Sequence, residues 1–205
     1  MRRFAFSFAA LALVAAAVAA GVGAESPVRV TVVGDSVAGA LDYSDAAKRS
    51  LEGGLDVRFD LRVCRRLATT SCPYAGTVPS SALDVVRGAG RGLGQVLVVV
   101  VPDVDDPARY ARGMDDVIRA ARQAGVRRII WVTLRATSAL YARTDAVIRT
   151  EAIRFPEVEV ADWNTFSRGK PWFRSDGLHL NVDGAAGLAA LLRPLILQAA
   201  AAQAP

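Results

Sequence analysis

The chain has 205 residues, with 25 Lys and Arg against 20 Asp and Glu, two Cys and one His. That length suits one α/β domain with its own core. A composition of 52% hydrophobic and 22% charged residues argues against a disordered or fibrous protein. One His and two Cys are too few for a His/Cys zinc site. Arg2 and Arg3 supply two units of the net charge of +5, and the scattered remainder of +3 argues against a nucleic-acid partner.

Residues 1–24 have the layout of a secretory leader: Arg2 and Arg3, an apolar stretch over 4–20, then the small residues Val22-Gly23-Ala24. Cleavage is expected after Ala24, leaving 25–205 as a single domain. The rival is an uncleaved anchor, since 4–24 carries no charge and is long enough to span a bilayer. Both readings imply export. In an oxidising compartment Cys64 and Cys72 are expected to form a disulfide, with two reduced buried thiols as the alternative.

Beyond the leader, strand and helix patterns alternate. The β-branched run over 28–33 reads as a strand that ends at Gly34-Asp35-Ser36. Helical spacing follows over 37–52 and is closed by Gly53-Gly54. Residues 55–63 alternate as a strand, 80–87 read as a short helix, and 96–101 form a continuous apolar run typical of a strand covered on both faces. Residues 107–123 have helical spacing with Pro107 in the first turn. A strand over 126–134, a helix over 139–154, a short strand over 158–161 and a last helix over 184–198 complete the pattern. Such alternation implies right-handed crossovers, and hence about five parallel strands with helices on both faces. The ligand crevice of such a sheet lies beyond the C-terminal strand ends. Gly88-Ala89-Gly90-Arg91-Gly92-Leu93-Gly94 superficially resembles a phosphate loop. It precedes a strand and lacks a Walker lysine, so it reads as a flexible turn.

Ser36, at a strand-to-helix junction, suits an N-cap. It equally suits a nucleophile, because a helix start offers N–H groups where an oxyanion develops. His179, the only His, lies before the last helix in Asp176-Gly177-Leu178-His179. A lone His is commonly a satisfied surface residue. Asp176, three residues earlier, has the spacing to orient the imidazole in a tight turn.

Gly34-Asp35-Ser36-Val37 with Asp176-Gly177-Leu178-His179 resembles the two terminal blocks of the SGNH, or GDSL-type, serine hydrolase superfamily. Val37 stands where Leu is usual, and the resemblance covers about residues 27–200. It implies a three-layer, flavodoxin-like, doubly wound α/β fold and a Ser36–His179–Asp176 triad that works without metal or organic cofactor. It also implies oxyanion donors at the N–H of Ser36, at a glycine after the second strand, and at an asparagine after the third. Gly76 is the candidate glycine, followed by Thr77 and a helix start. The asparagine is missing: aligning residues 102–106 with the family's block puts Val104 at its position. Losing one donor costs about 10²–10³ in rate.

Trp163 and Asn164, with Trp172 and Phe173, are candidates to wall an acyl or sugar pocket, or simply to cover the end of the sheet. Asn164 is also a candidate substitute donor. Arg65, Arg66 and Arg135 lie on crevice loops, either to hold an anionic group or as solvated surface charges. The expectation is an exported monomeric esterase acting on a small acyl ester of a carbohydrate, envelope component or lipid. The alternatives are an O-acyltransferase with the same triad, or a weakly active or inactive glycan-binding module on the same scaffold.

Overall fold

Five segments become strands: β1 (Arg29–Gly34), β2 (Asp56–Leu61), β3 (Val96–Val100), β4 (Arg128–Val132) and β5 (Val158–Ala161). A computed structural model describes residues 27–101 and 106–202. The leader assigned to 1–24, and Val104 within the altered segment, lie outside the described residues. All four strand pairings are parallel, in the order β2-β1-β3-β4-β5.

Alternate side chains of each strand enter opposite cores. Val30, Val32, Val98, Val100 and Ile130 face α1 (Asp45–Glu52) and α6 (Val182–Ala201). Val33, Leu97, Val99, Ile129 and Trp131 face α2 (Ala82–Ala89), α3 (Pro107–Gln123) and α4 (Ala139–Ile153). Burial on both faces explains why β3 reads as an unbroken apolar run. The chain leaves β1 toward β2 and returns on the other side as β3, so the strand order reverses beside the end of β1. Ser36 follows that end directly.

The structure corrects three local expectations. The helix expected over 37–52 is two pieces, a single 3-10 turn over Ala38–Leu41 and then α1. The first piece ends at Leu41 with Asp42 as its C-cap, and Ser44, extended in backbone, caps the second through its hydroxyl by accepting the Ala47 N–H at 3.3 Å. The last helix starts earlier than expected, because Asn181 caps it through the Gly184 N–H at 2.9 Å, and it ends later, at Ala201. The glycine-rich stretch is not a free turn: α2 runs through Gly88, and Gly90–Leu93 form a 3-10 turn leading into β3. By contrast, α3 spans the residues expected from the sequence, with Asp106 as its cap and Pro107 in its first turn.

Candidate active site

The first strand delivers Ser36. Gly34 is the last residue of β1, and a Cβ there would lie 2.4 Å from the Ala38 Cβ, so the chain can turn this tightly only at glycine. Asp35 is buried, and its Oδ1 accepts the Val37 N–H at 2.8 Å, which fixes the turn around Ser36. Burial pushes the Asp35 carboxyl up to about 7, against the pull of that N–H and of nearby His179. The helix after Ser36 is one 3-10 turn, too short for the macrodipole expected from a longer helix; only local N–H groups remain. Ser36 does not cap that turn, since Val37 stands at the cap position with no side-chain bond.

The second half of the site is a closed loop between Phe173 and Leu180, which form an isolated antiparallel bridge. The Arg174 N–H donates to the His179 carbonyl at 2.8 Å, and the Gly177 N–H to the Arg174 carbonyl at 2.9 Å. Gly177 has φ +71°, a conformation that favours glycine. Its carbonyl accepts from Arg135, whose guanidinium lies 3.8 Å over the Phe173 ring. Asp176 Oδ1 accepts the N–H groups of Leu178 and His179 at 2.8 and 2.9 Å, and Oδ2 lies 2.8 Å from His179 Nδ1. The Leu178 N–H, then the His179 ring and N–H, hold the Asp176 carboxyl down at about 2. A carboxylate only accepts, so Nδ1 carries the imidazole proton and Nε2 is free to accept. His179 Nε2 lies 3.0 Å from Ser36 Oγ, across 143 positions of sequence. The geometry is a relay: hydroxyl to imidazole to carboxylate.

The remaining site candidates are divided by their contacts. Trp163 is 2% exposed and stacked on Trp172 at 5.7 Å, so it belongs to the core that closes this end of the sheet. It also lines a small apolar hollow with Val37, Leu134 and Leu178. The Asn164 carbonyl oxygen accepts the Ala136 N–H at 3.0 Å and so staples the β4–α4 loop. Arg65 is 4% exposed and taken up by Asp60 and the Ser80 carbonyl, and Arg135 by Gly177 and Phe173. Both arginines hold loops together.

No helix starts after Gly76, contrary to expectation. Gly76 sits in an exposed turn closed by the Tyr74–Thr77 bridge, and the next helix begins at Ala82, capped by Ser81. The first residue with positive φ after β2 is Cys64, at +69° in the turn closed by the Arg65 N–H to the Arg62 carbonyl. Cys64 is bonded to Cys72, as expected for an oxidising compartment. Its N–H has no hydrogen-bond partner among the described residues. The Arg62 N–H donates to the Gly34 carbonyl at 3.0 Å, so this turn starts beside the one that carries Ser36. Sequence reasoning passed over Cys64 because it sought a glycine. Arg174 was also passed over, although it stands two residues before Asp176.

No protein-family model and no curated protein sequence matches the chain. Solved structures do. The catalytic domain of a Streptococcus pneumoniae peptidoglycan O-acetyltransferase, carrying a methylsulfonyl adduct, superposes with TM-score 0.64 at 20% identity, over 84% of this chain and 94% of that one. A Clostridium thermocellum family 3 carbohydrate esterase does so with TM-score 0.60 at 14% identity, over 88% and 100%. The fold is that of the SGNH hydrolases. A Talaromyces cellulolyticus family 3 carbohydrate esterase also shares it, with TM-score 0.57 at 18% identity over 86% and 100%. In this fold Ser36 lies in the turn after β1 and His179 in the loop before the last helix.

Proposed function

We propose that the protein is an exported serine esterase that removes a small acyl group from a carbohydrate or cell-envelope ester. The observation that carries this reading is the relay itself, with 3.0 Å between Ser36 Oγ and His179 Nε2 and 2.8 Å between His179 Nδ1 and Asp176 Oδ2. Ser36 Oγ attacks the acyl carbon as His179 takes its proton, and Asp176 holds the imidazole in the accepting tautomer. The imidazolium then protonates the leaving alcohol. A water activated by the same His releases the acid.

The forming oxyanion needs N–H donors. The Ser36 and Cys64 N–H groups take that role in this reading, with Cys64 in place of the expected Gly76. Its positive φ, its N–H without a partner among the described residues and its position in the turn after β2 support the assignment. The disulfide supports export. The likeness to an O-acetyltransferase supports a second reading, in which a sugar hydroxyl replaces the water; product analysis with an added glycan acceptor separates the two.

The test is intact-mass detection of fluorophosphonate labelling. A single adduct on wild type that is absent from Ser36→Ala is expected. A folded wild type that takes no adduct would overturn the reading and leave a glycan-binding module.

A further inference from the structure

The cleft in front of Ser36 has a volume of about 310 Å³, and a neighbouring hollow of about 260 Å³ shares Ala40, Tyr43, Arg174 and Leu180 with it. Together they form one groove that runs from the nucleophile past Arg174 to Asn181. Among the described residues, no Asp or Glu lines either part, and Arg174 is the one permanent cation that does.

Arg174 is held firmly. Its N–H donates to the His179 carbonyl at 2.8 Å and its Nε to the Leu180 carbonyl at 3.2 Å. Its two terminal nitrogens have no hydrogen bond or ion pair among the described residues. The neighbouring Arg65 and Arg135 are spent on the protein itself, so Arg174 stands apart. Two aromatic side chains flank it in the groove: Tyr43 is 73% exposed and Tyr74 is 54% exposed. Exposed tyrosines this large, placed beside a nucleophile, offer apolar faces to a sugar ring.

We infer that this groove selects an acylated sugar bearing a carboxylate, gripped by the terminal nitrogens of Arg174 while the ring lies against Tyr43 and Tyr74. The two terminal N–H groups of a guanidinium whose Nε is already engaged match the two oxygens of one carboxylate. One fixed positive charge, with no acidic group among the described lining residues, balances one negative charge, whereas a phosphate dianion would remain half uncompensated. The inference rests on the esterase reading for the fate of the acyl group, but not for binding.

Binding is therefore measured on Ser36→Ala, by titration calorimetry at pH 7 and low salt. The probes are a mono-O-acetylated methyl glucuronide, its primary carboxamide, and the corresponding 6-phosphate of the neutral glucoside. The acid is expected to bind at least tenfold more tightly than the carboxamide, as a charge-assisted pair requires. Adding Arg174→Gln is expected to bring the two within about twofold, and Arg174→Lys to keep a reduced preference for the acid.

Equal affinity for acid and carboxamide, no binding of either, or a preference that survives Arg174→Gln would each overturn the inference. Tighter binding of the phosphate would overturn its carboxylate assignment. The comparison of acid with carboxamide needs no change at Arg174, so a variant that fails to fold does not shield the idea. Fluorophosphonate labelling of the wild type reports the esterase reading separately. An acid preference without labelling leaves the groove standing and the esterase fallen, and labelling without an acid preference does the reverse.

Discussion

Replacing Asp176 by Asn changes one carboxylate oxygen to an amide NH₂ at nearly constant size, and the surrounding bonds dictate how the amide sits. Oδ1 accepts two N–H groups, from Leu178 at 2.8 Å and His179 at 2.9 Å, so the amide oxygen must take that position. The NH₂ then faces His179 Nδ1, where the carboxylate oxygen stood at 2.8 Å. An amide NH₂ only donates, so Nδ1 must become the acceptor and the imidazole proton moves to Nε2. A protonated Nε2, 3.0 Å from Ser36 Oγ, cannot take the serine proton. The same exchange in other serine triads costs about 10⁴ in kcat, or about 5.4 kcal/mol of barrier at roughly 1.36 kcal/mol per decade. The assay is the rate of fluorophosphonate labelling alongside p-nitrophenyl acetate hydrolysis, with thermal unfolding to show that the loop has survived. Because the amide oxygen keeps both backbone bonds, the variant is expected to remain folded. A folded Asp176→Asn protein that labels within tenfold of wild type would show that Asp176 does not set the tautomer.

Three further outcomes are expected. Removing the Cys64–Cys72 bond, which closes an eight-residue separation, is expected to cost about 2.5 kcal/mol by loop entropy. Urea unfolding of the Cys64→Ser/Cys72→Ser double variant checks this, and an unchanged midpoint would refute it. Asp35 carries a raised pKa of about 7 against 3.8 unfolded, so the folded state binds its proton more tightly. Its contribution to stability is therefore full below about pH 4 and is lost as pH rises through 7. Asp35→Asn cannot ionise, so the stability of wild type relative to the variant is expected to fall between pH 4 and 7; a constant difference would show that Asp35 does not titrate there. Asp145, also raised by burial, to about 6, is common to both proteins and cancels in that difference. A Cβ at Gly184 would meet the Trp172 carbonyl oxygen at 2.1 Å, so Gly184→Ala is expected to lose about 1–3 kcal/mol. Gly88, in α2 with open space around it, is expected to gain up to about 1 kcal/mol as Ala; denaturation midpoints of both variants test the contrast.

Much of the molecule was legible from one dimension because its signals are local. β3 is apolar throughout because both its faces are covered, and α3 carries helical spacing, an Asp cap and Pro107 together, so its bounds agree with the sequence. Expectation failed where a side chain chose between two local structures. The helical spacing over 37–52 continues through Ser44, but the Ser44 hydroxyl does better as a cap, and the helix restarts there.

The sequence by itself determined the alternating α/β pattern, the two motif blocks and the identity of the triad candidates, because periodicity and short-range spacing encode them. It could not settle that Ser36 and His179 meet. That depended on the last helix packing against the 3-10 turn after Ser36, a contact between distant segments, and on the bridge between Phe173 and Leu180 that closes the His179 loop. Nor could it sort equivalent residue types by their partners. Arg65 and Arg135 are spent on loops while Arg174 keeps its terminal nitrogens, and Asn164 is tied to Ala136. Cys64, held by its disulfide, has a positive φ after β2, where the resemblance implied a glycine. A side chain's role follows from which partners the packed chain leaves within reach, and that is fixed only when the helices and the sheet have closed around it.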